Sequence, residues 1–148
     1  MIKNNIAAFW GHVFLAGTVL LLFMKLIPDG LVLFDDRKNL FFNLIYGVLV
    51  VLGYVALGFI LNKQPSLLKN LISVSGIAVV GIIILLLEFT VFESKAFPLD
   101  WTGIFCAAYN APLLMIHPHL FDAEPRFLCL LVFSLFPTLF TWIGLMIK

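Results

Sequence analysis

The chain has 148 residues, 63% of them apolar and only 11% charged, with a formal net charge of +1 and a mean hydropathy of +1.13. Soluble domains carry about 25% charged and about 45–50% apolar residues, so this composition excludes an ordinary water-soluble domain. It also excludes a global field that would recruit nucleic acid or an acidic substrate. Cys106 and Cys129 both lie in apolar segments; without a regular set of cysteines they read as buried thiols, not as a disulfide framework or zinc ribbon.

The first apolar run covers 6–27. It is longer than the core of a cleavable signal and no A-x-A-like site comes after it, so it is expected to remain as a first span. Ala8, Gly11, His12 and Ala16 fall on one stripe at helical spacing, which lets another helix approach closely. His12 reads as a packing histidine bonded to a neighbouring helix, because no carboxylate or second histidine shares its segment; a ligand or proton-relay role is the alternative. Pro28-Asp29-Gly30 signals a turn, and Asp35-Asp36-Arg37-Lys38 reads as a solvated hinge with too few converging oxygens for a hard cation.

The second span, 40–61, contains no charge. Gly47, Tyr54 and Gly58 share a stripe predicted to face other helices. Asn62 to Ser66 closes a tight hairpin: Pro65 disfavours helix at Gln64 and Ser66 can cap the next helix. The tightness predicts that the second and third spans are antiparallel neighbours.

The third span, 71–92, reads LISVSGIAVVGIIILLLEFTVF, an apolar rod whose one charge is Glu88. At 1.5 Å per residue it matches a hydrocarbon core of roughly 30 Å. On a continuous rod Glu88 sits about 9–10 Å from the centre, with Gly81 and Leu85 on its face. A structural Glu88 would reach the headgroups or pair with Lys95; a functional one would carry protons or bind a cation.

Between 93 and 126, Pro98 ends one element and Asp100 stands at an N-cap position. The apolar stretch 100–116, interrupted by Pro112, is predicted to be an interfacial or re-entrant half-helix, with Trp101 and Tyr109 at headgroup level; a kinked fifth span is the alternative. His117, His119, Asp122 and Glu124 have the ligand chemistry of zinc, but Pro118 splays the two histidines and no H-x-x-x-H spacing exists, so a polar interfacial loop is the preferred account. No serine or cysteine has a base placed beside it, and no phosphate-binding glycine loop occurs; no catalytic residue and no cofactor is assigned. The last span, 127–147, carries Pro137, predicted to kink it and to free the Phe133 carbonyl for hydroxyls on that face.

These elements predict an all-α polytopic membrane protein, a single domain over 1–148 built as a four-transmembrane-helix bundle with a short interfacial or re-entrant helix before the last span. Lys3, Lys63, Lys69 and Lys148 then share one side, and their density in short loops favours both termini in the cytoplasm. The expected role is non-catalytic: a self-associating module, or a subunit or sensor of a membrane complex, with the lipid bilayer, homo-oligomer or other membrane subunits, and a cytosolic protein as partners. An oligomeric channel or transporter subunit using Glu88 and the Pro137-kinked helix is the second expectation. An interfacial metal-dependent enzyme using His117, His119 and Asp122 is the third.

Overall fold

The computed structural model describes residues 1–26, 39–90, 108–110, 112 and 126–148, and every regular element among them is helical. In chain order these are α1 (Ile2–Leu26), α2 (Asn39–Ile60), α3 (Leu67–Ile72), α4 (Gly76–Thr90) and α5 (Arg126–Ile147). Residues 108–110 and 112 are also helical. Among the described residues one helix is long and apolar enough to cross a membrane, α5 over Leu130–Ile147 with mean hydropathy 2.1; Ile45–Ile60 and Gly76–Leu87 are shorter apolar stretches.

The expected continuous rod over 71–92 is not what forms. The chain breaks at Ser73, Val74 and Ser75, between α3 and α4. The reason is two side chains from other helices inserted into the helical ladder, a recognised cause of helix breaks. Where the Gly76 N–H would bond the Ile72 carbonyl, Asn5 of α1 intervenes. Its Oδ1 accepts from Gly76 N at 2.8 Å and its Nδ2 donates to Ile72 O at 2.9 Å. Where Ala78 N–H would bond Val74 O, the Thr138 hydroxyl of α5 accepts from Ala78 N at 3.1 Å and donates to Val74 O at 3.5 Å. Ser73 and Ser75 tighten the break by donating to carbonyls three residues back, at 2.8 and 3.0 Å. The first N–H groups of α4, which a helix start leaves without intrahelical partners, are therefore capped by α1 and α5. The depth assigned to Glu88 on a continuous rod no longer holds.

The packing order also differs from the predicted hairpin. Helix α5 is the central element: α2 and α4 each pack chiefly on it, while α1 lies across α2 and α4. Matched contacts give the directions. Val50 and Tyr54 cluster with Phe133, Phe136 and Phe140 while Leu61, just past the end of α2, meets Lys148, so α2 and α5 run parallel. Gly81 meets Ser134 whereas Ala78 meets Thr138, so α4 and α5 are antiparallel. The small residues explain why α5 wins the central place. At the α2–α5 crossing a Cβ on Gly58 would collide with backbone atoms of Thr141, Gly144 and Leu145, and one on Gly144 with backbone atoms of Val55. Backbones in that close contact gain dispersion and shed no side-chain entropy.

One end of the bundle is tied by polar side chains. Asn4 donates to Asn62 O at 2.7 Å and to Ser73 Oγ at 3.2 Å, and accepts from Asn62 N at 3.2 Å. Asn70 accepts from Gln64 N at 2.6 Å, and Ser66 caps α3 through Lys69 N. Lys148 Nζ reaches Leu61 O at 3.0 Å and Lys63 Nζ reaches Met146 O at 3.3 Å. Each lysine thus neutralises the carbonyl-rich C-terminus of the other's helix. The N-terminus, the 61–66 loop, the 73–75 break and the C-terminus meet here.

Helix α5 continues through Pro137. The hydroxyls expected to serve the Phe133 carbonyl are engaged elsewhere: Ser134 donates to Leu130 O, Thr141 to Pro137 O, and Thr138 to α4. Residues 27–38 and 91–107, and His117, His119, Asp122 and Glu124, lie outside the described residues. So do Cys106 and the side chains of Glu88 and Cys129, although Glu88 itself is on α4 two residues before its end.

Candidate functional site

Away from the end of the bundle and the α4 cap, the buried His12 meets two tyrosines, Tyr54 and Tyr109. It is 1% exposed and Tyr54 of α2 is 0% exposed. The His12 Nδ1 and the Tyr54 hydroxyl are hydrogen bonded at 2.8 Å, with the rings inclined by 23°. On the other side the Tyr109 ring lies 4.3 Å from the imidazole, centroid to centroid, at 53°. Tyr109 is fixed from its far end, where its hydroxyl donates to Ile77 O of α4. An added Cβ at Gly81 would come within 3.0 Å of the Tyr109 ring and 3.2 Å of Ser134 Cβ, so the glycine makes the space in which this tyrosine lies.

The direction of the proton is set by how many groups each arrangement orphans. Among the described residues Tyr54 has no other hydrogen-bond partner and the His12 Nε2 has none. The Tyr109 main chain interacts with the imidazole, although it falls outside strict hydrogen-bond geometry with Nε2. If Nδ1 donated to Tyr54, both the phenol hydrogen and the Nε2 lone pair would be buried unpaired. If Tyr54 donates to Nδ1, only the Nε2–H is left. An unpaired buried donor costs about 1–3 kcal/mol, so the second arrangement is favoured and Nε2 carries the proton.

A cleft of about 220 Å³ lies beside the His12 side chain, with Nε2 itself buried. His12, Val13, Ala16 and Gly17 of α1, Ile84 of α4, and Ala108 with Tyr109 line it. Three of these are alanine or glycine, which is why the helices leave a gap. No Cβ placed on Gly17 would meet anything within 4 Å. The cleft is an almost wholly apolar hollow. It holds no carboxylate, thiol or second imidazole among the described residues, and no three His, Cys, Asp or Glu side chains converge there to hold a metal.

The other residues singled out in the sequence are distributed more widely. Ala8 is 0% exposed in the cluster with Leu61 and Ile77. A Cβ at Gly11 would meet the end of the Leu57 side chain, and Gly58 meets the α5 backbone. Ala16 borders the cleft, and Gly47 is buried on α2. Sequence reasoning passed over Asn4, Asn5, Asn70, Ser73 and Gly144. Two consecutive asparagines in the first turn of an apolar helix were the available signal, since amides beside apolar helices need partners from neighbouring chain segments. In comparisons with known proteins, the chain matches no family model, no curated protein and no solved structure.

Proposed function

We propose that the chain is a multi-pass membrane protein with four spans, α1, α2, α3–α4 together and α5, acting without catalysis as a module that associates with itself or with other membrane subunits. The observation that carries this reading is the inverted distribution of polarity. Large apolar side chains face outward: Trp10 is 63% and Phe14 74% exposed on α1, and Leu49 61% on α2. Val79 and Ile83 of α4 and Val132 of α5 are exposed too, while Asn4, His12, Asn70, Ser134, Thr138 and Thr141 are buried. In water such an exterior would aggregate; in lipid it is the matching surface, and interior polar groups act as interhelical glue.

The interior polar groups are largely spent on holding helices together, which is why a structural or interaction role is preferred to chemistry. The end carrying Lys3, Lys63, Lys69 and Lys148 is assigned to the cytoplasm, where it can meet anionic headgroups or a cytosolic protein. The test has two parts. Cysteines placed at Lys3 and Lys63 should be labelled by an impermeant maleimide from the same face, and the protein should resist alkaline carbonate extraction. Opposite labelling or release without detergent ends the membrane assignment. Native mass measurement in mild detergent should show more than one chain per particle, and a single chain at every concentration ends the association.

A second reading, an oligomeric channel or transporter subunit using Glu88 and α5, draws support from the interrupted helix α3–α4, because broken helices line cavities in transporters. Flux into proteoliposomes that falls with Glu88→Gln would favour it, and no flux for the wild-type protein removes it.

A further inference from the structure

We propose that Lys3 and Lys69, at the polar end of the bundle, form a binding surface for an anionic phospholipid, whose phosphate meets the two ammonium groups and whose acyl chains lie along the apolar residues beside them. The inference rests on the membrane reading, since it needs this end to lie at headgroup level, and it commits to one partner where that reading leaves two open.

Three observations define the surface. The first is which lysines are free. Lys63 and Lys148 are engaged: their ammonium groups donate to Met146 O at 3.3 Å and to Leu61 O at 3.0 Å, holding the ends of α5 and α2. Lys3 and Lys69 are exposed and have no side-chain partner among the described residues. Both stand on one seam. Asn4, next to Lys3, donates to Ser73 Oγ at 3.2 Å, and the Ser73 N–H bonds the Lys69 carbonyl at 3.0 Å. The second observation is the lack of opposing charge. Among the described residues the only acidic one is Glu88, near the far end of α4. The two ammonium groups therefore keep their field and all their N–H donors for an external anion, and phosphate oxygens suit both.

The third observation is what surrounds the two charges. Ile2 beside Lys3 is 75% exposed, and Leu67 and Leu68 beside Lys69 are 60% and 66% exposed. Ammonium groups standing among exposed aliphatic side chains match the boundary between headgroups and acyl chains, where the charge reaches the phosphates and the aliphatic groups sit in hydrocarbon. A soluble protein fits less well, because protein interfaces are depleted in lysine. One phospholipid supplies both the charge and the hydrocarbon that these residues call for.

The experiment holds the full-length protein in neutral-detergent micelles that contain equal amounts of dioleoyl phosphatidylglycerol and dioleoyl phosphatidylcholine. The lipid retained per chain, above protein-free micelles, is counted by mass. Phosphatidylglycerol should be preferred by about fivefold or more, the effect of one lysine at an anionic headgroup. The preference should collapse when salt rises from about 0.05 M to about 0.5 M, because exposed charges are screened; this wild-type measurement does not depend on any variant folding. Lys3→Gln with Lys69→Gln should bring the two lipids close to parity. Lys63→Gln with Lys148→Gln removes the same charge but keeps an amide donor for each carbonyl, and it should retain most of the preference. No preference, a preference indifferent to salt, or equal losses in the two paired variants would each overturn the proposal. Displacement of the lipid by hexaglutamate at the same concentration would overturn it by assigning the surface to an acidic soluble partner. Displacement by glycerophosphoglycerol, the headgroup without its acyl chains, would overturn it by assigning the surface to a free phosphodiester. The labelling of residues 3 and 63 separately decides the membrane assignment: same-face labelling with no lipid preference defeats this inference and leaves that reading standing.

Discussion

Gly58 and Gly144 face each other where α2 crosses α5, with a Cβ on Gly58 falling 2.9 Å from the Gly144 carbonyl carbon. Nothing there can yield, because the opposing atoms are backbone. The contact at Gly11 differs in kind: a Cβ there would meet the end of the Leu57 side chain, which can rotate away. Gly58→Ala and Gly144→Ala should each therefore lower the unfolding free energy by about 2 kcal/mol or more, the scale of overpacking. Gly11→Ala should cost much less. Thermal unfolding in detergent ranks the three, and a Gly11 variant as damaged as the other two would contradict the crossing.

The Thr138 hydroxyl stands between Ala78 N and Val74 O and serves both. Thr138→Val keeps the shape and removes the hydroxyl, leaving the buried Ala78 N–H without its acceptor, at a cost of about 1–3 kcal/mol. The consequence is local as well as global. Amide exchange at Ala78 should accelerate relative to amides near the middle of α4, whose intrahelical bonds do not involve Thr138. Uniform acceleration along α4 would mean that the hydroxyl acts through overall stability and not as a cap.

These two contacts show what the amino-acid sequence makes legible. Apolar runs bounded by Pro28 and Pro65 announce helices, and helical character is what the described residues have. The break at 73–75 is not announced by its own residues, since Ser73 and Ser75 are tolerable in a helix. It is caused by Asn5, far back in the chain, and Thr138, far ahead. Periodicity within a segment carries no information about a side chain arriving from another one. The same limit applies to packing order. A tight 61–66 hairpin fixes proximity of two helix ends, but the glycine pair Gly58–Gly144 draws α5 against α2. At the site, His12 and Tyr54 stand on separate stripes in the sequence, and only the three-dimensional arrangement joins them with Tyr109.

The hydrogen bond between His12 and Tyr54 is a buried pair that a double-mutant cycle can isolate. Tyr54→Phe leaves Nδ1 unpaired, His12→Phe leaves the phenol unpaired, and the double variant removes both polar groups. The double variant is therefore expected to be more stable than the sum of single losses implies, with a coupling of about 0.6–1.5 kcal/mol. Additive losses, measured by reversible unfolding in mixed micelles, would mean that the two side chains do not hold one another.

Asn4 provides the sharpest test of the polar end. Its Nδ2 donates to both Asn62 O and Ser73 Oγ, while its Oδ1 accepts from Asn62 N. Asn4→Asp preserves the shape and the acceptor but replaces the donor with a second oxygen facing the Asn62 carbonyl. At neutral pH this puts a carboxylate, in a position that is 3% exposed, against another acceptor. The loss should exceed that of Asn4→Ala, because like partial charges repel and burial strips the charge of its hydration. Acid should relieve it. The protonated carboxyl recovers one O–H donor, so the folded state of this variant binds a proton more tightly than the unfolded chain, and its stability falls as pH rises through the carboxyl's titration. Melting curves from about pH 4 to 8, spanning the range into which burial raises a carboxyl, check the sign: Asn4→Asp should approach the wild type at the acid end, while Asn4→Ala stays parallel to it throughout. A gap between Asn4→Asp and wild type that widened toward the acid end would show that the Asn4 amide does not donate as the structure has it.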